Sequence, residues 1–192
     1  MKILIATNNN HKLKEYAEMF TPLGIEITSP KQEGLDIDPL ENGKTFEENS
    51  LLKAQSFKEH TSLPVLSDDS GLSIDALDGF PGIYSARFAS EQGGNKIANE
   101  RIIELLKNKK KNASFFCVIT YIDENNKIHQ FKGECKGEIL DKPEGENGFG
   151  YDPIFYSFEA KTCFGTASED IKNKYSHRAK ALEKFIEYFK NK

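Results

Sequence analysis

The chain has 192 residues, a net charge of −4 at pH 7 and 29% charged residues. This length suffices for one domain with a sizeable core, and the negative balance argues against a general nucleic-acid-binding surface. No apolar run approaches the roughly 18 residues that a membrane helix needs. The N-terminus lacks the cleavage site of a signal peptide, and three widely spaced cysteines suggest a reducing compartment. We therefore expect a cytoplasmic protein without a membrane or nucleic-acid partner.

The chain begins with a predicted strand that leads through a polar loop into a helix. The strand covers Lys2–Ala6, and apolar residues at helical spacing predict a helix over about His11–Phe20. The polar residues Thr7–Asn10 between them suit a turn and a helix N-cap. Free backbone N–H groups at a helix start attract anions, and Lys12 adds a positive charge there. A solvated helix lysine explains Lys12 equally well on these residues alone.

A second strand is predicted at Gly24–Ser29, and a capped helix follows a polar loop. Thr45 and Glu48 form a capping box, so the helix should begin there and run to about His60. Glu41 precedes this helix, and Lys53 lies within it but off the centre of its apolar stripe. Taken one at a time, both are most simply solvated charges.

Two adjacent carboxylates, Asp68 and Asp69, follow the short apolar run Leu63–Leu66, which predicts a buried strand. The next residues, Ser70–Gly71, favour a tight turn or the close approach of a ligand, and a further strand is predicted at Leu72–Leu77. Paired acids at a strand end suit a hard cation such as Mg2+, which takes oxygen ligands. Capping of a turn is the simpler explanation of these residues taken alone.

The middle of the chain predicts a helix and a hairpin. The helix covers about Gly94–Lys107, with Ile97 among the residues of its apolar side. The strongest strand signal in the chain, Ala113–Ile122, is followed by a polar turn and by an alternating run over Lys127–Lys136. We expect these two strands to pair as an antiparallel hairpin.

A glycine-rich segment, Glu144–Asp152, carries the two aromatic residues Phe149 and Tyr151. A glycine-flanked aromatic ring such as Phe149 suits stacking on a planar base, which is favourable by roughly 1–3 kcal/mol. The alternative, and the commoner fate of aromatic residues, is that both rings close the core beneath the loop.

The last predicted helix begins with two positively charged or chargeable residues. Ser176 is the expected N-cap, so His177 and Arg178 lie in the first turn. The helix dipole disfavours positive charge at that end. Because nothing nearby in the sequence compensates for this, a functional site is expected there.

Five segments of the chain together resemble the inosine/xanthosine triphosphate pyrophosphatases, which remove deaminated purine nucleotides from the nucleotide pool. The resemblance covers nearly the whole chain. The segments are TNNNHK (Thr7–Lys12), ENGKTFEENSLLKA (Glu41–Ala54), SDDSGLSIDALDGFPGIYSAR (Ser67–Arg87), GFGYDPIF (Gly148–Phe155) and SHR (Ser176–Arg178).

The resemblance implies an α/β fold, an elongated mixed β-sheet with flanking helices. It implies one domain over residues 1–192, in two lobes with a substrate cleft between them, and a homodimer. It also implies Mg2+-dependent hydrolysis of ITP, dITP and XTP between the α and β phosphates, which yields the monophosphate and pyrophosphate.

The same resemblance implies roles for individual residues. Asp69 would accept the proton of the attacking water and bind metal with Glu41, with Asp68 as a further acid of the metal site. Phe149 would stack on the base, and His177 and Arg178 would bind the purine oxygen. The implied substrate-binding residues are Thr7, Asn8, Asn9, Asn10, His11, Lys12, Lys53, Ser70, Phe149, Gly150, Tyr151, Asp152, Lys172, His177 and Arg178.

A donor aimed at a 6-oxo group distinguishes hypoxanthine and xanthine from adenine, because the 6-amino group of adenine leaves it unpaired at a cost of about 1–3 kcal/mol. Guanine also has a 6-oxo group, so its exclusion must act at the 2-position, and the sequence does not reveal the element responsible. Two alternatives stay open: a Maf-like pyrophosphatase acting on other nucleotides, and a nucleotide sensor without catalysis. The segments TNNNHK and SHR argue against the first, and the complete set of acids and lysines argues against the second.

Overall fold

The computed structural model describes residues 1–191, which form seven strands and six α-helices. The strands are β1 (Lys2–Ile5), β2 (Glu26–Thr28), β3 (Val65–Ile74), β4 (Asn112–Ile122), β5 (Ile128–Ile139), β6 (Phe155–Ser157) and β7 (Thr162–Cys163). The helices are α1 (Asn10–Phe20), α2 (Phe46–Lys58), α3 (Ser85–Glu91), α4 (Asn95–Leu105), α5 (Glu169–Tyr175) and α6 (His177–Lys190). Within residues 1–191, none of these helices has both the length and the apolar character that a membrane crossing requires.

The strands form a mixed sheet in the order β2-β1-β3-β4-β5-β6-β7. β1 runs parallel to both β2 and β3, with Leu4 opposite Thr28 on one side and Val65 on the other. At the other end, β6 pairs antiparallel with β5 and with β7. The predicted α/β class, a mixed sheet with flanking helices, is confirmed.

The chain divides into two compact units. Unit 1 comprises Met1–Asp69 and Val118–Lys132, and unit 2 comprises Ser70–Cys117 and the chain from Gly133 onward. The boundary on β3 therefore lies between two consecutive residues of the strand, Asp69 and Ser70. Helices α1 and α2 belong to unit 1, and α3 to α6 belong to unit 2.

Each unit has an apolar core of its own. The core of unit 1 is formed by α2, the parallel strands and the end of β4, through Leu4, Ala6, Ala54, Phe57, Val65 and Ile122. In unit 2 the ring of Phe115 lies 4.5 Å from that of Phe155, and Phe164 packs beside both. Helix α4 packs Ala98 and Ile102 into this core.

The predicted break between two strands at Asp68–Gly71 is wrong. β3 runs without interruption through both acids, whose side chains are buried within the strand. Gly71 serves close packing instead of a turn, because a Cβ there would lie 2.2 Å from the carbonyl oxygen of Gly82. Pairing with neighbouring strands outweighs the local preference of Asp, Ser and Gly for a turn.

One predicted helix face is also wrong in part. Ile97 on α4 is 50% exposed, whereas Ala98, Asn99 and Ile102 face the core. The two seven-residue helices, α3 and α5, were not predicted from the sequence, because helices this short carry little periodic signal. The other predicted helices and strands lie within a few residues of their observed limits.

Candidate active site

The loop before α1 is organised by its own polar side chains. Asn9 is the N-cap, and its Oδ1 accepts hydrogen bonds from the backbone N–H groups of His11 (2.9 Å) and Lys12 (3.3 Å). Thr7 Oγ1 in turn accepts from the N–H of Asn9. The predicted turn and N-cap are confirmed, and Asn8, Asn10 and His11 are exposed.

Two lysines of unit 1 are paired with acids and largely shielded from solvent. Lys12 Nζ lies 2.9 Å from Asp68 Oδ2, and Lys53 Nζ lies 2.9 Å from Glu41 Oε1. Lys53 also donates to the carbonyl oxygen of Asp68. The lysine side chains are only 14% and 12% exposed, so the interpretation of both as solvated charges is wrong. We call Lys12, Glu41, Lys53, Asp68 and Asp69 the acid–lysine cluster.

Burial raises the pKa of Asp69 to about 6. The charges of Lys53 and Lys12 oppose this effect, while the carboxylates of Glu41 and Asp68 reinforce it. A carboxyl group whose pKa lies near neutrality is ionised at pH 7 yet retains appreciable basicity, which is what a general base requires.

Lys53 responds to the same group of acids. Burial lowers the pKa of Lys53, and attraction to Glu41 is the largest effect in the opposite direction. Together with Asp68 and Asp69, Glu41 outweighs burial and the pKa of Lys53 rises. The lysine is therefore fixed as a cation beside the carboxylates.

A buried chain of hydroxyl groups ties α2 to the sheet next to this cluster. Ser67 Oγ donates to the carbonyl oxygen of Ser50, and Ser50 Oγ donates to Thr120 Oγ1 at 2.7 Å. Ser67 directly precedes Asp68 on β3, and Ser50 lies one helical turn before Lys53 on α2. The hydroxyl groups thereby set the helix and the strand in the register at which Lys53 reaches the carbonyl oxygen of Asp68.

The donor set of the cluster fits Mg2+. Within residues 1–191, no group of three or more His, Cys, Asp or Glu side chains is arranged to hold a metal by itself. Mg2+ commonly binds one or two carboxylates, water and substrate phosphates, so a complete protein cage is not needed. The negative charges of Glu41 and Asp68 both raise the pKa of Asp69. A cation bound among these carboxylates would relieve their mutual repulsion.

In unit 2, residues Gly148–Asp152 form a tight turn that we call the aromatic loop. Asp152 Oδ2 accepts from the N–H of Phe149 at 2.7 Å and from Lys172 Nζ at 2.6 Å. Gly148 and Gly150 both have positive φ angles, and a Cβ on Gly148 would lie 2.1 Å from the Asp152 carboxylate. The turn therefore depends on glycine and on one shared carboxylate.

Two cations face the ring of Phe149. Lys172 Nζ lies 4.3 Å from the ring centroid, and Arg178 Cζ lies 5.8 Å from it. Both distances are in the range of cation–π attraction. Phe149 itself is partly buried, whereas Tyr151 belongs to the core of unit 2. The expectation that aromatic residues close the core thus holds for Tyr151.

Three contacts fix the first turn of α6: an N-cap, a ring stack and a hydrogen bond. Ser176 is the N-cap as predicted, and its side chain accepts from the N–H of Ala179. His177 stacks on Phe115 with ring centroids 4.7 Å apart. Arg178 Nη2 donates to Ser70 Oγ at 3.2 Å. Stacking and a hydroxyl acceptor accommodate the two side chains that the helix dipole disfavours.

Two further contacts hold the aromatic loop, and the sequence did not indicate either. Tyr151 donates its hydroxyl hydrogen to the carbonyl oxygen of Ser85 at 2.7 Å, and Asn99 Nδ2 donates to the carbonyl oxygen of Gly150 at 3.1 Å. Ser85 Oγ also donates to the carbonyl oxygen of Gly82 in the turn after β3. One sequence signal was available, a polar Asn99 within the apolar face of α4.

A model of the Ham1 family matches residues 3–188 of the chain. The chain belongs to the Ham1 family. It is 42% identical to a dITP/XTP pyrophosphatase of Clostridium perfringens, over 98% of this chain and 97% of that protein. It is 43% identical to the protein of the same name in Desulforamulus reducens, over 97% and 94% of the two chains. The family resemblance inferred from the sequence is confirmed, and the Maf-like alternative is set aside.

Solved structures of Ham1 proteins have the same fold. The Ham1 protein of Staphylococcus aureus superposes with a TM-score of 0.88 at 36% identity, over 100% of this chain and 99% of that one. The Ham1 protein of Coxiella burnetii gives a TM-score of 0.90 at 35% identity over the full length of both chains. These matches agree with the mixed sheet and the flanking helices described above.

Proposed function

We propose that this chain hydrolyses the triphosphates of deaminated purines, ITP, dITP and XTP, to the monophosphate and pyrophosphate with Mg2+. The environment of Asp69 carries the proposal, because a buried carboxyl group with a pKa of about 6 lies among two lysines and two further acids. That arrangement suits a general base beside an anionic substrate. The names of the relatives from Clostridium perfringens and Desulforamulus reducens support the same substrate class.

In this proposal the acid–lysine cluster binds the triphosphate and activates water. Lys12 and Lys53 neutralise phosphate charge, and Asp69 accepts the proton of the water that attacks the α-phosphorus. Bound Mg2+ would be held by Glu41, Asp68 and Asp69, and would supply positive charge that stabilises the pyrophosphate leaving group. Thr7 and Asn9 extend the phosphate site with hydroxyl and amide groups.

In the same proposal the aromatic loop and its neighbours bind the base. Phe149 stacks on the purine, and Arg178 and His177 donate hydrogen bonds to the 6-oxo group. Lys172 stays ion-paired with Asp152 (2.6 Å) and keeps its charge over the Phe149 ring. A 6-amino group leaves the donors on Arg178 and His177 unpaired, which disfavours ATP.

The test is a panel of nucleoside triphosphates with Mg2+, in which pyrophosphate and orthophosphate are measured separately. We expect ITP, dITP and XTP to be cleaved faster than ATP and GTP, with pyrophosphate as the first product. Orthophosphate as the first product would contradict cleavage between the α and β phosphates. Nucleotide binding without turnover would favour the sensor alternative.

We also propose that the protein acts as a homodimer in the cytoplasm, as the sequence resemblance implies. Light scattering coupled to gel filtration tests the dimer, for which the expected mass is twice the 21.7 kDa of the chain. A monomer at micromolar concentration would contradict it.

A further inference from the structure

We propose that Asn99 is a positioning residue for the nucleobase: its side-chain amide holds the carbonyl group of Gly150 and thereby fixes the ring of Phe149. The inference rests on the proposed function, since it concerns the base-binding part of that site. It adds a residue from α4, a helix to which neither the sequence resemblance nor the acid–lysine cluster assigns a role.

The first observation is the burial of Asn99 at a position where the rest of the helix face is apolar. Asn99 is 3% exposed, and its neighbours Ala98 and Ile102 on the same face are fully buried in the core of unit 2. Asparagine is a poor choice for a helix interior, because its side chain competes with the backbone for hydrogen bonds. Leucine has nearly the same size and would suit both the helix and the core.

The second observation is that only part of the Asn99 side chain is satisfied. Its Nδ2 donates to the Gly150 carbonyl oxygen at 3.1 Å, while its Oδ1 is buried without a hydrogen-bond partner in residues 1–191. A buried polar atom without a partner destabilises the fold. Asn99 therefore lowers the stability of unit 2, and the hydrogen bond that its Nδ2 donates goes to the aromatic loop.

The third observation concerns how the aromatic loop is attached to the rest of unit 2. Gly150 has a positive φ angle and no side chain with which to contact the core, so its carbonyl group is the available point of attachment. The carbonyl group of Gly150 belongs to the peptide that joins Gly150 to Tyr151, and Phe149 directly precedes Gly150. Fixing this peptide limits rotation of the backbone that carries the Phe149 ring. Tyr151, on the other side, is held through its hydroxyl group by Ser85. The hydrogen bond from Asn99 fixes the backbone between these two aromatic residues.

The tests use two nearly isosteric variants of the full chain. Asn99→Leu removes both polar atoms, and Asn99→Asp replaces the donor with an acceptor that faces the Gly150 carbonyl oxygen. Asn95→Leu is the matched control, because Asn95 lies one turn earlier on α4 and is exposed. If Asn99→Leu does not yield folded protein, Asn99→Asp carries the test.

We expect Asn99→Leu to raise the KM for ITP about tenfold, because ITP binding must then order a loop that the lost hydrogen bond, of comparable free energy, had already fixed, while kcat changes less than about twofold. Tripolyphosphate has no base, so its inhibition constant should stay unchanged in both variants. The melting temperature of Asn99→Leu should equal or exceed that of the parent, because the unsatisfied oxygen is gone. A purely structural role would instead lower stability and weaken the binding of ITP and tripolyphosphate together.

A second readout does not depend on turnover. The chain contains no tryptophan, so Phe149→Trp introduces a single tryptophan fluorophore, which can be excited selectively over tyrosine. We expect acrylamide to quench this fluorophore more strongly when Asn99→Leu is added, and equally when Asn95→Leu is added. Unchanged quenching, or an unchanged KM for ITP in Asn99→Leu, would overturn the inference. If the parent chain does not hydrolyse ITP, the proposed function fails, and the quenching comparison still decides the role of Asn99.

Discussion

The acid–lysine cluster of unit 1 and the aromatic loop of unit 2 are built on opposite principles. In the cluster, charged side chains on β3, α1 and α2 are buried against one another, and Lys12 and Asp68 meet at 2.9 Å. In the loop, glycines with positive φ angles shape the backbone, which is held through its own carbonyl and N–H groups. The charged groups of the cluster thus lie mostly on regular elements, with Glu41 in the loop before α2, whereas Phe149 lies on a loop whose shape depends on glycine.

This difference predicts separable kinetic effects. Loss of a charge from the cluster should change the rate of the chemical step, because the barrier depends on electrostatic stabilisation. Loss of a loop contact should change affinity for the base, because stacking is made equally in the bound substrate and the transition state.

Asp69→Asn should lower kcat for ITP by about 1000-fold, within the range of about 100- to 10,000-fold for loss of a general base. The KM should change far less, since the lysines remain. Steady-state pyrophosphate release measures both quantities. Asp75→Asn is the control, because Asp75 follows the same strand and is exposed. A variant that retains a tenth of the parental kcat would rule out Asp69 as the general base.

The same substitution should stabilise the metal-free protein at neutral pH. Burial raises the pKa of Asp69 to about 6, compared with about 3.9 in an unfolded chain. The charged carboxylate therefore destabilises the fold above pH 6, and this cost disappears as the pH falls towards 4 and both states bind the proton. We expect Asp69→Asn to gain about 1–3 kcal/mol at pH 8.

Urea unfolding in the presence of EDTA, at pH 8 and at pH 4.5, measures this gain. The difference between parent and variant should be largest at pH 8. A gain that is equal at both pH values, or larger at pH 4.5, would show that the pKa of Asp69 is not raised.

Phe149→Ala should raise the KM for ITP by about 10- to 100-fold, because stacking on a base is favourable by about 1–3 kcal/mol. The affinity for tripolyphosphate should stay at the parental value. Phe158→Ala is the control for loss of an aromatic ring, since Phe158 is 47% exposed. If tripolyphosphate affinity fell together with ITP affinity, Phe149 would be needed for the fold of the site and not for stacking.

Arg178→Ala should reduce the preference for ITP over ATP by about tenfold, the value of one hydrogen bond to the 6-oxo group. The ratio of kcat/KM for the two nucleotides measures it. Arg178→Lys keeps the charge and should restore part of the rate without restoring the full preference. Equal losses for ITP and ATP would place recognition of the 6-position on other residues.

Local sequence signals predicted the caps and the family pattern, but not the burial of the site. Thr45 and Ser176 were identified as N-caps because a cap depends on residues within one turn of the helix. The acids Asp68 and Asp69 were placed at a turn, since their local preference gives no information about the strands that pair with β3. The strands that pair with β3 are determined by contacts between residues far apart in the sequence.

The same limit applies to Lys53 and Asn99. Lys53 lies off the centre of the apolar stripe of α2, and its shielding comes from Glu41 and the backbone of Asp68. The role of Asn99 depends on a carbonyl group 51 residues further along the chain. Locally the sequence shows only a polar residue on an otherwise apolar helix face, which does not identify the partner of its side chain.

The most direct test compares ITP saturation curves of Asp69→Asn and Phe149→Ala, measured side by side by pyrophosphate release with Mg2+. We expect Asp69→Asn to lower kcat by about 1000-fold with little change in KM. We expect Phe149→Ala to raise KM by about 10- to 100-fold with little change in kcat. Equal losses of kcat in the two variants would contradict the division of chemistry and base recognition between the acid–lysine cluster and the aromatic loop.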